Sequence, residues 1–152
     1  MLSQSDFKTA VRLLPLVAID LLVTNEQGQV LVGRRLNPPA QGFWFVPGGR
    51  IRKGEILDNA FSRITFAELG TAFSRSESSV HGIYDHLYDD DFTGMADAGG
   101  THYVVLAHRL RVHSQMLKLP SGQHDAYRWV SESDASAELA IHANTRAYFS
   151  SP

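Results

Sequence analysis

Residues 49–71, reading GRIRKGEILDNAFSRITFAELGT, bring together residue types that phosphate chemistry needs. Gly48 and Gly49 let backbone come close to a ligand or a metal. Glu55 and Arg63 are opposite charges eight residues apart, and Glu68 follows five residues after Arg63. A carboxylate with neighbouring carbonyls suits a hard divalent cation such as Mg²⁺, which takes oxygen ligands and keeps several waters. A single carboxylate with substrate phosphate holds one such ion; two or three are much harder to hold. A second cluster, Gln123-His124-Asp125, sets an amide oxygen beside an imidazole. An imidazole, with an ordinary pKa of ~6.5, takes a proton from water near neutrality. The chain has seven histidines, so His124 draws its weight from its neighbours rather than its type.

The spacing of Gly49, Glu55, Arg63, Glu68 and Gly70 resembles the Nudix box, G-x5-E-x7-R-E-U-x-E-E-x-G-U, where U is apolar. Two of its carboxylate positions depart from it. Ile64 stands where the pattern has Glu after Arg, and Ala67 where it has the first of the paired glutamates. In the full pattern the carboxylates project from one helix face and gather several cations around a diphosphate. Without them the general base must come from elsewhere in the chain.

A chain of 152 residues, 43% of them hydrophobic, makes one globular domain over 1–152 with room for a core. The absence of cysteine excludes disulfides and a thiol nucleophile and fits a reducing, cytoplasmic compartment. A formal charge of −2 and no run of Lys and Arg give no nucleic-acid footprint. No apolar stretch is long enough to span a membrane, and the first residues lack the pattern of a signal peptide.

The elements that must position these groups follow from patterning. Residues 3–14 read as an amphipathic helix, with Ser3 or Ser5 as N-cap and Pro15 as stop; it packs either on its own domain or on a second subunit. Residues 16–24 and 29–36 read as strands joined by turn chemistry at 25–28. Asp20 interrupts the first strand between Ile19 and Leu21 and points to a functional cavity rather than a solvated edge. Residues 43–46 read as a short strand entering the Pro47-Gly48-Gly49 loop. Residues 56–69 read as a helix with an apolar stripe through Leu57, Ala60, Ile64 and Ala67, stopped by Gly70. An ordinary core helix would look similar, but it leaves the preceding glycines and charged spacing unexplained. Residues 80–88 alternate, with Tyr84, His86 and Tyr88 on one face and Ile83, Asp85 and Leu87 on the other. Residues 89–100 read as a mobile loop without packing residues at its tip. Strands at 101–112 and 127–130 and short helices at 132–139 and 142–149 complete a mixed sheet flanked by helices. That order agrees with the α/β Nudix fold, an α/β/α sandwich.

Several further stretches narrow the resemblance: PPAQG at 38–42, WFVPGGR at 44–50, YDHLYDDDF at 84–92, THYVVL at 101–106, QHDAYRWV at 123–130 and HANTRAYF at 142–149. Together they look like the GDP-mannose mannosyl hydrolases, a Nudix branch whose box lacks the same two glutamates. The resemblance implies Mg²⁺-dependent hydrolysis of GDP-mannose or GDP-glucose, water attacking the sugar's C1 with inversion. It implies one Mg²⁺ per subunit, replaceable by Mn²⁺, on the Gly49 carbonyl, Glu68 and Gln123. It implies His124 as general base, Arg35 and Tyr103 as donors to the leaving diphosphate, and Asp20, His86, Arg50 and Arg63 around substrate or in the site's charge network. Glu55 is expected to pair with Arg63 and hold the loop to the helix, and the protein is expected to be a homodimer. His81, His102, His108, His113 and His142 read as structural or surface residues. The competing readings are a Nudix diphosphohydrolase attacking phosphorus, which wants more carboxylates than Glu68, and a non-catalytic nucleotide-sugar-binding domain.

Overall fold

The computed structural model of the chain describes residues 2–93, 99–121 and 124–150. Ser3 caps α1 (Gln4–Leu13) by accepting from the Asp6 N–H. This helix packs on its own domain: Val11 is buried, the Phe7 ring lies 5.0 Å from that of Phe92, and the Arg50 guanidinium sits 5.0 Å from the same Phe7 ring. Leu13 and Leu14 at its end remain mostly exposed.

β1 (Leu16–Thr24) ends in a turn where Asn25 Oδ1 accepts from the N–H groups of Gln27 and Gln29, and β2 (Val30–Arg35) returns from it. There follow β3 (Trp44–Phe45), β4 (Gly48–Arg50), α2 (Leu57–Leu69), β5 (Ser79–Tyr88), β6 (Thr101–Arg111), β7 (His124–Val130), α3 (Glu132–Ala137) and α4 (Ala143–Arg146). The strands form a mixed sheet in the order β3-β2-β1-β6-β5, with β4 paired to β1 and β7 to β2. β1 runs parallel to β6 from Leu16 facing Tyr103 to Thr24 facing Arg111, and the other pairings are antiparallel. β1 and β2 pair at the hairpin, Thr24 opposite Val30, after which β1 takes β4 as partner and β2 takes β7. Those four strands supply Asp20, Arg35, Gly49, Arg50 and His124 of the predicted site.

Alternation along β1 fills both faces. Ile19, Leu21 and Val23 pack with Ala60, Phe61 and Ile64 of α2, while Leu22 packs with Val30, Val32, Ala135, Ile141 and Tyr148 on the other side. Helices therefore cover both faces of the sheet, the expected α/β/α sandwich. On β5, Tyr84, His86 and Tyr88 face inward and Ile83, Asp85 and Leu87 outward, as the alternation predicts.

Three expectations are corrected. Residues 48–50 are a strand, with Gly48 facing Asp20 and Gly49 facing Ile19. Their glycines make room for protein: a Cβ on Gly48 would lie 2.3 Å from Asp20 Oδ1, and one on Gly49 3.1 Å from Ile64. The buried stripe of α2 runs through Ala60, Phe61, Ile64, Thr65 and Glu68, whereas Leu57 and Ala67 are exposed. Thr65 is buried because its hydroxyl donates to the Phe61 carbonyl and accepts from the Phe73 N–H, so a stripe traced through apolar residues alone comes out rotated. β7 starts at His124 rather than 127, since β2 pairs with it as far as Arg35 opposite His124. At the start of the 89–100 loop Asp91 is buried and Phe92 sits on Phe7, while residues 94–98, where the tip expected to lack packing residues falls, lie outside the described residues.

Candidate active site

Glu68 lies on the inward face of α2, 7% exposed, and His124 Nε2 is 3.7 Å from its Oε2. That separation is an ion-pair distance rather than a hydrogen bond. The His124 ring is buried against the backbone of Gly33, where a Cβ would fall 2.8 Å from its Cγ and Nδ1, and against the Tyr127 ring at 5.5 Å. Tyr127 is itself tied by its hydroxyl to the Pro120 carbonyl. His124 Nδ1 is buried without a hydrogen-bond partner among the described residues. A buried bare lone pair costs less than a buried unpaired N–H, so the neutral ring in this arrangement carries its proton on Nε2, toward Glu68.

Asp20 projects from β1 over Gly48, and its carboxyl is pushed up to about 7, first by burial and then by the charge of Glu68. Tyr148 and Arg35 oppose the rise, the first by donating a hydrogen bond to Asp20 Oδ2 at 2.6 Å, the second by its charge. Arg35 sits at the end of β2, its Nε donating to the Asn37 carbonyl at 3.2 Å and its guanidinium 5.7 Å from the Phe45 ring. Burial raises the Tyr103 phenol, and the charges of Arg35 and Arg50 draw it down. His86 is buried, and desolvation lowers it to about 4, so it is neutral.

Asp20, Arg35, Glu68, His86, Tyr103 and His124 thus come together, with Arg50 at the margin beside α1. Gln123 lies outside the described residues. Arg63 is committed elsewhere: it forms a two-pronged pair with Glu55, 2.6 Å and 2.8 Å, and donates to the Arg50 carbonyl at 2.8 Å. Glu55 also accepts from the Arg52 N–H, and these bonds, the Arg63 one foremost, hold its carboxyl down to about 2. The pair clamps residues 50–55 onto α2, the role expected for Glu55. Tyr148 and Gly33 add to the predicted residues; the HANTRAYF stretch holds the first, whereas nothing in the sequence singles out the second. A groove of about 490 Å³ lined by Thr24, Arg109, Arg111 and Glu132 opens at the opposite end of the sheet and is no part of this cluster.

Among the described residues no group of three or more His, Asp and Glu side chains gathers as a metal site. The oxygen donors expected here are the Glu68 carboxylate and the Gly49 carbonyl. Such a set fits one hard cation whose other positions go to water and phosphate.

The NUDIX domain family model matches residues 14–150. The low-salt glycan biosynthesis protein Agl8 of Haloferax volcanii is 36% identical over 119 residues, 78% of this chain and 72% of that protein. The RNA pyrophosphohydrolase of Novosphingobium aromaticivorans is 28% identical over 138 residues, covering 86% and 85% of the two chains. Among solved structures, the MutT protein of Methanosarcina mazei superposes with a TM-score of 0.70 at 22% identity over 89% of this chain and 91% of that one, a likeness of fold. Since the family model spans nearly the whole described fold and the box residues sit on the β4–α2 unit, the chain belongs to the Nudix hydrolase family.

Proposed function

We propose that the chain hydrolyses a GDP-sugar, GDP-mannose or GDP-glucose, to GDP and the free sugar by attack of water at the sugar's C1 with inversion. The observation that carries this reading is the inner face of α2, where Glu68 is the single carboxylate: Ile64 is core, 1% exposed, and Ala67 offers nothing. Attack at phosphorus puts the new charge where several cations are wanted. Substitution at an anomeric carbon builds negative charge on a departing diphosphate, which one cation and a few donors can stabilise. The similarity to a glycan biosynthesis protein supports a sugar-linked substrate.

Glu68, the Gly49 carbonyl and Gln123 would hold Mg²⁺, one per subunit, with Mn²⁺ able to replace it; when bound it neutralises charge on the leaving diphosphate. Arg35, Tyr103 and Arg50 supply further donors to the same group. Asp20 and His86 face the rest of the substrate. His124 takes the proton from the attacking water, which requires the imidazole to turn from its present contact with Glu68, or to exchange tautomer, so that a bare nitrogen meets the water. The working species in this reading is a homodimer, with the exposed Leu13 and Leu14 available to the second copy. Light scattering tests the dimer.

Turnover of GDP-mannose in ¹⁸O-water tests the chemistry. Attack at C1 puts the label in mannose and gives GDP. Label in GMP or in mannose 1-phosphate would assign attack to phosphorus, and no turnover with Mg²⁺ would leave a binding domain.

A further inference from the structure

We infer that Tyr148 is a positioning residue that, with Asp20 ionised, commits Asp20 and His86 to act as hydrogen-bond acceptors, so that the substrate group received between them is a donor, a hydroxyl or an N–H. The inference rests on the active-site reading above and goes beyond it in naming the residue that sets this corner and the polarity it imposes.

Tyr148 follows α4, is 3% exposed and has one proton to give. Its hydroxyl is 2.6 Å from Asp20 Oδ2 and 3.1 Å from His86 Nε2. An ionised carboxylate only accepts, so the phenol proton goes to Asp20, the shorter and charge-assisted contact. The same oxygen then has only lone pairs for His86, and the 3.1 Å contact requires that Nε2 carry the hydrogen. His86 is neutral in its buried setting, which leaves Nδ1 bare.

The phenol cannot swap these roles by moving. Its backbone carbonyl is 3.0 Å from His81 Nε2, and Arg109 Nε donates to His81 Nδ1 at 3.1 Å, which fixes the His81 proton on Nε2 and makes that contact a hydrogen bond. Arg109 is in turn held by Glu132 at 2.9 Å. The ring packs edge-on against Tyr84 at 4.7 Å. A corner offering a carboxylate and a bare imidazole nitrogen repels phosphate oxygens, which are left to Arg35 and Arg50, and selects the hydroxyl- or N–H-bearing part of the substrate.

The tautomer is read directly. Long-range ¹H–¹⁵N spectra of the metal-free wild-type protein at pH 8.5, where Asp20 is ionised, should show His86 as the Nε2–H form, and Tyr148→Phe should lose that pattern. An Nδ1–H form in the wild type overturns the inference. With GDP-mannose, Tyr148→Phe should raise KM by roughly tenfold, the effect of losing a hydrogen bond to a charged group, with kcat within about threefold. Unchanged KM also overturns it. If the wild type does not turn over GDP-mannose, the substrate reading fails and the tautomer alone decides on Tyr148.

Discussion

Glu55→Gln should destabilise the protein at neutral pH and cost nothing in acid. Glu55 accepts two hydrogen bonds from Arg63 and one from the Arg52 N–H, and its carboxyl, ordinarily at 4.5, is held to about 2. At about 1.4 kcal/mol for each tenfold in the proton equilibrium, that corresponds to an upper bound of roughly 3 kcal/mol. The two side chains are 15% and 28% exposed, Glu55 and Arg63 respectively, so water and salt screen the pair and about half that bound remains, ~1.5 kcal/mol. The sign follows from the lowered folded-state value. The contribution is complete above about pH 4.5 and fades as pH falls from there through about 2. Urea unfolding of the wild type and Glu55→Gln at a series of pH values gives the comparison, other carboxylates cancelling between the two proteins. We expect a gap of ~1.5 kcal/mol at pH 7 that has shrunk by more than half at pH 3. A gap that stays constant with pH would show that Glu55 acts through packing and refute the electrostatic account.

Three more outcomes test the site and the fold. His124→Gln should lower kcat for GDP-mannose by ~10²–10⁴ with little change in KM; near-normal kcat removes His124 from the role of base. Glu68→Gln should weaken Mg²⁺ binding, measured by calorimetry, together with activity, and several tight Mg²⁺ sites per subunit insensitive to the change would contradict a single-cation site. Gly70→Ala should lower Tm by roughly 5 °C or more, because φ is 73° there and a Cβ would lie 2.0 Å from the Lys118 carbonyl; a melting point within a degree of wild type would mean that this packing is not present in solution.

Legibility from sequence depended on which physical rule governed each element. The apolar run and flanking turn chemistry of β1 gave its bounds, and the alternation of β5 its faces, because period-two patterning maps directly onto a pleated strand. β4 escaped because Gly48, Gly49 and Arg50 carry no strand signal; their conformation is set by pairing with β1. The inner face of α2 escaped because Thr65 and Glu68 are polar and buried, a combination that the hydrogen bonds of one and the chemistry of the other explain only in three dimensions. Glu68 was named from the box spacing, His124 from its neighbours and Arg35 from the resemblance alone. Tyr148 was not, since a tyrosine 128 residues beyond Asp20 acquires its meaning only when the fold brings its hydroxyl to that carboxylate.

The packing of Ile64 against Gly49 makes the route to a many-cation site uneven. A glutamate at position 67 would enter solvent and disturb little, so that half of the change is open to a single substitution. At position 64 the new charge would replace a core side chain 1% exposed and pressed on Gly49, and it would be buried without a partner unless a cation arrived with it. The order of steps is therefore constrained. A carboxylate is easier to place at 67, which is exposed, than at 64, which is core.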